Sequence, residues 1–462
     1  MRRRAYDGWV LAAAVALSAL ASCHLDTADR DDGLEAQLAR RDTTRGFAAL
    51  STTHREEADA LAVAYAGFID AGRTPRAVVA EGRAMLERGG FVDLEGRERV
   101  REGDRVWFSP QAKVLAGARI GAVDGGFRVF IVAIDAPRLA LKPSGPWVES
   151  GAVLVETQFY GPMDKKQWLS WPMMLQADVS EAGVMRSVRL GDDAGEPVFV
   201  LPDLLIHLSR KAQQDRVIDG EGMNAVVGFA APGQEDGATL RAFGARMQEE
   251  LGLSPAAFAT GEFALLPATK PEFVGVDRGM LAAYGHRFRA VLYVALDALV
   301  ASEGDETVVV VTVDRTALGG TGNGGYAAVR DVLGELNARM APREDGDELG
   351  LRRRLSRSLA WVTVPIGGEV GRGVVFDARS DDSLPGVRRA TFDALDGARV
   401  PYQLSTAAGW SPARQLATMG FEVMDFAIPV AGVGAPMELI SVSDLLATRR
   451  AVLALAEAPV VH

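Results

Sequence analysis

The chain has 462 residues, and 48% of them are hydrophobic, which is enough to fill the cores of more than one domain. Its formal net charge of −11 at pH 7 argues against a nucleic-acid-binding surface, because such a surface needs clustered Lys and Arg. Cys23 is the only cysteine, so no disulfide can form within the chain.

The N-terminus has the pattern of an export signal. Three arginines, Arg2–Arg4, precede an apolar segment over 9–21 that is too short to span a bilayer. The segment ends in Leu20-Ala21-Ser22-Cys23, which resembles the bacterial lipobox. We predict a lipoprotein signal peptide over 1–22 and lipidation of Cys23; the alternative is an ordinary cleaved signal with a bystander cysteine.

The next residues predict how the chain meets the membrane. Residues 23–53 are charged and mixed in sign, which is typical of a tether. A lipid on Cys23 would anchor the protein without a spanning helix. Because His24 stands where an inner-membrane retention signal has aspartate, we expect an exported protein at the outer membrane or facing the periplasm.

The rest of the chain alternates between helix and strand patterns. Apolar residues recur at helical spacing over 57–88, and Gly89-Gly90 marks the end of that helix. A β-branched run within 127–132 predicts a buried strand, and another over 308–313 predicts a central strand buried on both faces. These patterns predict an α/β fold with a mostly parallel sheet flanked by helices.

One segment departs from this alternation. Residues 153–169 and 184–200 alternate in β fashion, with turn residues between them. We therefore predict an inserted β-rich domain over 144–235, which divides an α/β domain into 54–143 and 236–458.

The turn after the first buried strand resembles the first metal loop of the aspartyl aminopeptidase family of zinc peptidases, peptidase family M18. That loop has the pattern His-x-Asp-x-Pro-Arg-Leu followed by Lys-Pro. This chain matches it at Asp135, Pro137, Arg138, Leu139, Lys142 and Pro143, and matches further family motifs at Phe68-Ile69-Asp70, Thr74-Pro75, Tyr160-Gly161 and Ile206-His207-Leu208. The resemblance implies a zinc-aminopeptidase-like fold whose inserted domain builds a homodimer, and larger homo-oligomers of that dimer.

In the family that this chain resembles, histidines and carboxylates serve as metal ligands and as the general base. Most of the corresponding positions in this chain hold residues of other types. They are Ala133 (first histidine), Arg287 (bridging aspartate), Thr316 (general base), Ala317 (a further ligand), Trp361 (a carboxylate) and Gly434 (last histidine), while Asp135 is retained. The five histidines share no ligand spacing that would supply a replacement site. We therefore expect no intact catalytic residue and no bound zinc.

These substitutions are electrostatically consistent with a site that has no metal. Carboxylates clustered without a cation repel one another and are costly to desolvate. We expect Arg287 to pair with Asp135, and Trp361 and Phe288 to fill the former metal cavity.

Two further motifs each allow a functional and a simpler structural interpretation. His207 corresponds to the family histidine that reaches the neighbouring subunit's active site, which makes it a substrate-side candidate; the alternative is a structural histidine. Gly320–Gly325 fits G-x-G-x-x-G between a strand and a helix. No strand-ending acid follows about 20 residues later, which argues against dinucleotide binding.

The sequence thus predicts a catalytically inactive, aspartyl-aminopeptidase-like lipoprotein that acts as a binding or scaffold protein at the bacterial cell envelope. The alternative is a metallo-aminopeptidase with residual or altered activity that removes N-terminal Asp or Glu from peptides. A third interpretation is a peptide receptor that uses the former substrate pocket, although Trp361 and Trp410 are expected to occupy it. Expected partners are a second copy of the chain, a membrane reached through the lipid, and a peptide or protein, but no nucleic acid.

Overall fold

A nine-stranded sheet forms the centre of the fold in this computed structural model. The structure describes residues 50–122, 125–181, 183–202, 223–230, 233–254, 260–316, 319–321, 324–340, 348–378, 385–406, 411–420 and 422–458. In spatial order its strands are β1 (Val92–Asp93), β2 (Arg105–Gln111), β3 (Val114–Arg119), β15 (Thr307–Val313), β4 (Phe127–Ala133), β16 (Leu359–Thr363), β19 (Glu422–Ala427), β17 (Val374–Asp377) and β18 (Tyr402–Ser405). The four central strands β15, β4, β16 and β19 run parallel. The predicted mostly parallel sheet is confirmed.

The described residues form ten helices, of which eight pack on the two faces of this sheet. They are α1 (Thr52–Ala71), α2 (Pro75–Arg88), α3 (Lys165–Trp168), α4 (Asp236–Leu251), α5 (His286–Ala301), α6 (Ala327–Met340), α7 (Glu348–Leu355), α8 (Pro385–Gly397), α9 (Ala413–Ala417) and α10 (Val442–Glu457). Apolar side chains of α1, α2, α5, α8 and α10 pack in a core on one face. Side chains of α6, α7 and α9 pack in a second core on the other face. The helices α3 and α4 pack in a third core with a smaller sheet. Among the helices of the described residues, none is both long enough and apolar enough to cross a membrane.

The remaining strands form three smaller sheets. The first contains β10 (Val184–Leu190), β9 (Met173–Glu181), β12 (Glu262–Pro267), β5 (Arg138–Leu141) and β8 (Thr157–Tyr160), all antiparallel and in that order. The others contain β11 (Ala225–Phe229), β7 (Ala152–Val155) and β6 (Trp147–Glu149), and β13 (Glu272–Val274), β14 (Met280–Ala283) and β20 (Glu438–Ser441). The five-stranded sheet takes β5 and β12 from outside the predicted insert of 144–235, and the domain boundaries stay a prediction.

The central strands β4 and β15 are mostly apolar and pair along their whole length. Every residue of β4 and of β15 is buried, as the β-branched runs predicted. In the parallel ladder Val313 of β15 lies opposite Ala133 of β4, so the two strands end level. The loops that follow them therefore emerge side by side at the carboxyl edge of the sheet.

The predicted helix over 57–88 is two helices. The N–H of Gly72 donates to the carbonyl of Phe68 at 2.8 Å and ends α1. Thr74 Oγ1 accepts from the N–H of Ala77, and Pro75 occupies the first turn of α2, where its absent N–H leaves no bond unmade. The apolar spacing continues across this break, which is why periodicity alone predicted one helix.

Candidate functional site

A cavity of about 740 Å³ opens at the carboxyl edge of the central strands. The loops after β4, β15 and β16 line it, together with β8, the start of α5 and one residue of β20. Much of the wall is aromatic or proline: Pro137, Phe159, Tyr160, Pro162, Phe288, Tyr326, Pro365 and Pro412. The charged lining residues are Asp135, Arg138, Arg287 and Glu438.

Asp135, just beyond β4, accepts two hydrogen bonds from neutral groups. Tyr160 Oη donates to its Oδ2 at 2.7 Å, and Thr316 Oγ1 donates to its Oδ1 at 2.8 Å. Burial, and then the neighbouring Asp135, raise the pKa of Tyr160, so the phenol keeps the proton that it donates. Both oxygens of this carboxylate are therefore held by hydroxyl groups.

Arg287 lies in the first turn of α5 and lines the same cavity. Its guanidinium carbon lies 4.7 Å from the centre of the Phe288 ring. Arg287 and Asp135 line the same cavity and attract each other, but within the described residues they form no ion pair at 4.0 Å or less. Burial lowers the pKa of Arg287, and Glu438 and then Asp135 offset this lowering from a longer range.

Glu438 explains why α5 begins where it does. Its side chain is buried, its Oε2 accepts from the backbone N–H of Arg287 at 3.0 Å, and its Oε1 accepts from that of Gly434 at 2.8 Å. The first N–H groups of a helix have no intrahelical acceptor, so a carboxylate placed there stabilises the start of α5. Burial nevertheless raises the pKa of Glu438. No motif in the sequence pointed to Glu438, although a lone acid in an apolar strand is a signal of a buried polar contact.

The two positions that the resemblance assigns to histidines hold small residues. Ala133 ends β4, and its N–H donates to Thr363 Oγ1 at 2.9 Å. Gly434 has a φ of +83°, and a Cβ at this position would overlap the carbonyl oxygen of Pro162. A larger side chain at 434 therefore requires the Pro162 loop to move.

Trp361 lies outside the cavity. Its side chain is buried, its ring stacks on Phe130 with 5.1 Å between ring centres, and its Nε1 donates to Thr391 Oγ1 of α8 at 2.9 Å. The expectation that Trp361 fills the cavity is wrong, because its position along β16 directs it into the core beside α8. Phe288 does line the cavity, as expected.

Asp314, the first residue after β15, is a second acid close to this site. It is fully buried, and neither carboxylate oxygen makes a well-aligned hydrogen bond in the described residues. Burial raises its pKa most, and Asp135 raises it further, while the N–H of Arg315 lies near enough to lower it slightly. Burial and the neighbouring acid thus favour the protonated form of Asp314.

Comparison with known proteins identifies the family. The sequence profile described as Aminopeptidase I zinc metalloprotease (M18) matches residues 68–342, more than half of the chain. The chain belongs to the M18 family. A probable M18 family aminopeptidase 1 from Thermotoga maritima is 27% identical over 435 residues, which is 85% of this chain and 95% of that protein. A protein of the same name from Borreliella afzelii is 28% identical over 271 residues, which is 56% of this chain and 59% of that protein.

Solved M18 structures share the fold. The crystal structure of the M18 aminopeptidase from Thermotoga maritima matches with a TM-score of 0.83 at 25% identity, over 91% of this chain and 100% of that one. A dodecameric structure from S. cerevisiae matches with a TM-score of 0.68 at 15% identity, over 86% of this chain and 96% of that one. The predicted family and fold class are confirmed.

The M18 description names zinc, and the donor groups that the structure describes around the cavity do not fit a zinc pair. Zinc sites in proteins use His, Cys and carboxylate ligands, usually three or four per ion. Over the part of the chain that the structure describes, no three such side chains converge in this way. Asp135 is hydrogen-bonded to two hydroxyls, and Arg287 brings a positive charge to the same cavity.

The predicted site residues divide into three sets. The structure brings Asp135, Arg287 and Thr316 together at the cavity, and it does not bring Ala133, Trp361 or Gly434 into the lining. Cys23, His207 and Ala317 lie outside the described residues. The lipidation of Cys23 and the substrate-side role of His207 stay predictions.

Proposed function

We propose that this chain is a non-catalytic M18 family member that binds a ligand in the retained cavity, as a binding or scaffold protein at the bacterial cell envelope. One observation carries the proposal: the cavity is open, yet its groups are unsuited to zinc. Arg287 lines it, and the neighbouring Asp135 is held by Tyr160 and Thr316. A guanidinium at this place would repel a metal cation rather than ligate it.

The open cavity favours a binding role over a purely structural one. Trp361 lies in the core, so this residue no longer counts against a receptor. Small-molecule sites are typically concave and mostly apolar, with a few polar groups that fix orientation. The aromatic and proline walls with two arginines have this character.

Zinc content and peptide hydrolysis test the proposal. The purified chain is incubated with excess zinc, dialysed and analysed for metal beside the Thermotoga maritima relative as a matched control. We expect well under one zinc per chain, against about two for a two-metal aminopeptidase, and no release of N-terminal Asp or Glu from peptides. Stoichiometric zinc together with zinc-dependent release would overturn it.

The second candidate is a metallo-aminopeptidase with residual or altered activity. The names of the relatives favour it, because the matched proteins from Thermotoga maritima and Borreliella afzelii are called aminopeptidases. This candidate requires ligands beyond those at the cavity, and His207 is the one histidine that the family resemblance brings near an active site. Peptide hydrolysis that increases with added zinc and decreases in a His207→Gln variant would support this second candidate.

We also propose a lipid anchor on Cys23 and a homo-oligomer. The signal pattern over 1–22 supports the anchor. The dodecamer formed by the S. cerevisiae protein supports self-association of this fold. A closed dodecamer would need all of its anchors to reach one membrane, which favours a dimer.

A further inference from the structure

Two arginine side chains, Arg138 and Arg287, line the cavity and form no ion pair at 4.0 Å or less in the described part of the chain. Arg287 Nε and Arg138 Nη1 are buried and make no hydrogen bond. Each guanidinium contacts an aromatic ring instead: Arg287 lies 4.7 Å from the ring centre of Phe288, and Arg138 lies 4.0 Å from that of Tyr160. A guanidinium carries five N–H donors, and leaving buried donors without acceptors is unfavourable.

The nearby acids already have other partners. Asp135 accepts from Tyr160 Oη and Thr316 Oγ1, and Glu438 accepts from the backbone N–H groups of Gly434 and Arg287. Burial raises the pKa of Glu438 and of Asp314, which shifts both toward the neutral form. The cavity is therefore lined by two guanidinium groups whose positive charge these acids do not neutralise through direct contact.

We infer that this cavity binds a carboxylate carried on an apolar body, with the guanidinium of Arg287 as its main partner and that of Arg138 as a second donor. The inference rests on the proposed function, in which the cavity binds rather than cleaves. A guanidinium pairs with a carboxylate through two parallel N–H···O bonds, which gives both strength and orientation. The apolar body fits the wall formed by Phe159, Phe288 and Pro365.

Such a carboxylate has two sources, the C-terminus of a peptide and a free organic acid. Isothermal titration calorimetry on the full chain uses three probes: N-acetyl-Leu-Phe as the free acid, the same dipeptide as its amide, and 3-phenylpropionate. We expect the free acid to bind at least about tenfold tighter than the amide, because the amide removes the charge-assisted pair. Binding of 3-phenylpropionate as tight as the dipeptide acid supports a small acid, and much weaker binding supports a peptide C-terminus.

Substitutions locate the binding group. Arg287→Gln should weaken binding of the free acid about tenfold or more. Arg287→Lys should weaken binding less, because lysine keeps the positive charge but cannot form the two parallel N–H···O bonds of a guanidinium. Arg138→Gln should weaken it several-fold, and it serves as the test if the Arg287 variant fails to fold. Arg352→Gln is the matched control, since that side chain is 70% exposed on α7, and it should leave binding unchanged.

The two proposals fail in different ways. Equal binding of the acid and the amide, or no acid binding at millimolar concentration, would overturn the carboxylate site and leave the zinc result untouched. Unchanged acid binding in both Arg287→Gln and Arg138→Gln would overturn it too. Zinc-dependent cleavage of a peptide would instead overturn the proposed function.

Discussion

At the scale of single residues, the direction of Trp361 changes the interpretation of the site. The family resemblance placed this residue in a loop that holds metal, and its size suggested that it fills the cavity. It packs instead against Phe130 and Thr391 in the core. The sequence could not decide between these directions, because a strand buried on both faces has no polar alternation to mark its sides.

Trp361→Ala should therefore destabilise the protein without altering the cavity. We expect the free energy of unfolding to fall by about 3–5 kcal/mol, because the change removes a stacked ring and a buried hydrogen bond. Urea unfolding measures the loss, and the folded variant should keep its affinity for the free-acid dipeptide. Leu349→Ala, at a residue 53% exposed, is the control and should change stability by less than about 0.5 kcal/mol. If the Trp361→Ala variant bound the free-acid dipeptide more weakly while its stability was unchanged, Trp361 would have to contact the ligand in the cavity, and this prediction would be wrong.

The sequence predicted which residues meet at the cavity better than how they pair there. The loop motifs correctly brought Asp135, Arg287 and Thr316 to one place. The hydroxyl groups of Tyr160 and Thr316 donate the hydrogen bonds to the Asp135 carboxylate, and so compete with the expected pairing to Arg287. Such competition depends on distances set by the whole fold, and no local pattern encodes them.

At the scale of elements, a buried polar contact joins α1 to α5. Tyr65 Oη lies 2.9 Å from His286 Nδ1, and the His286 ring is fully buried at the first position of α5. Its Nε2 makes no well-aligned hydrogen bond in the described residues, although the backbone of Leu281 lies near enough to the ring to offset part of the lowering of its pKa. Burial lowers the pKa of His286 to about 3, so the folded protein holds it neutral.

This contact predicts a pH dependence of stability. Between pH 6.5 and about 3 the unfolded chain binds a proton at His286 that the folded protein does not bind, so acidification favours unfolding. The contribution approaches about 1.4 kcal/mol for each pH unit below 6.5. Chemical unfolding from pH 7 to pH 5 should show a flatter dependence in His286→Gln than in the wild type.

Tyr65→Phe is the matched control for that experiment. It removes the hydrogen bond to His286 but leaves the imidazole buried, so stability should fall by about 1 kcal/mol with the pH dependence retained. Equal slopes in His286→Gln and the wild type would contradict the buried neutral imidazole.

Local patterns identified most elements and misplaced their connections. The strands over 307–313 and 127–133 lie close to the predicted segments. The break at Gly72–Thr74 was hidden because both helices bury apolar residues at the same spacing. The five-stranded sheet pairs β5 with β12 across more than a hundred residues, and a single sequence carries no signal for such pairing.

At the scale of the whole molecule, the proposed lipid anchor on Cys23 would place the cavity at a membrane. In a bacterial host the full chain should partition with membranes, and Cys23→Ser should move it to the soluble fraction. Ser22→Ala keeps a small residue before the cysteine and should behave as the wild type. Fractionation with mass spectrometry of the N-terminal peptide checks the outcome. A soluble wild type with an unmodified cysteine would contradict the anchor.

The backbone contact at Gly434 has a consequence for protein engineering. A histidine at that position must first displace Pro162, which belongs to the segment that also supplies the Tyr160 hydroxyl to Asp135. Carboxylates added at 287 or 316 before a cation is bound would bury unpaired charge, and each such intermediate would be less stable than its parent. Each single substitution toward the family's metal ligands is therefore expected to lower stability, so a simultaneous change of the Pro162 loop and the ligands would be needed to introduce them.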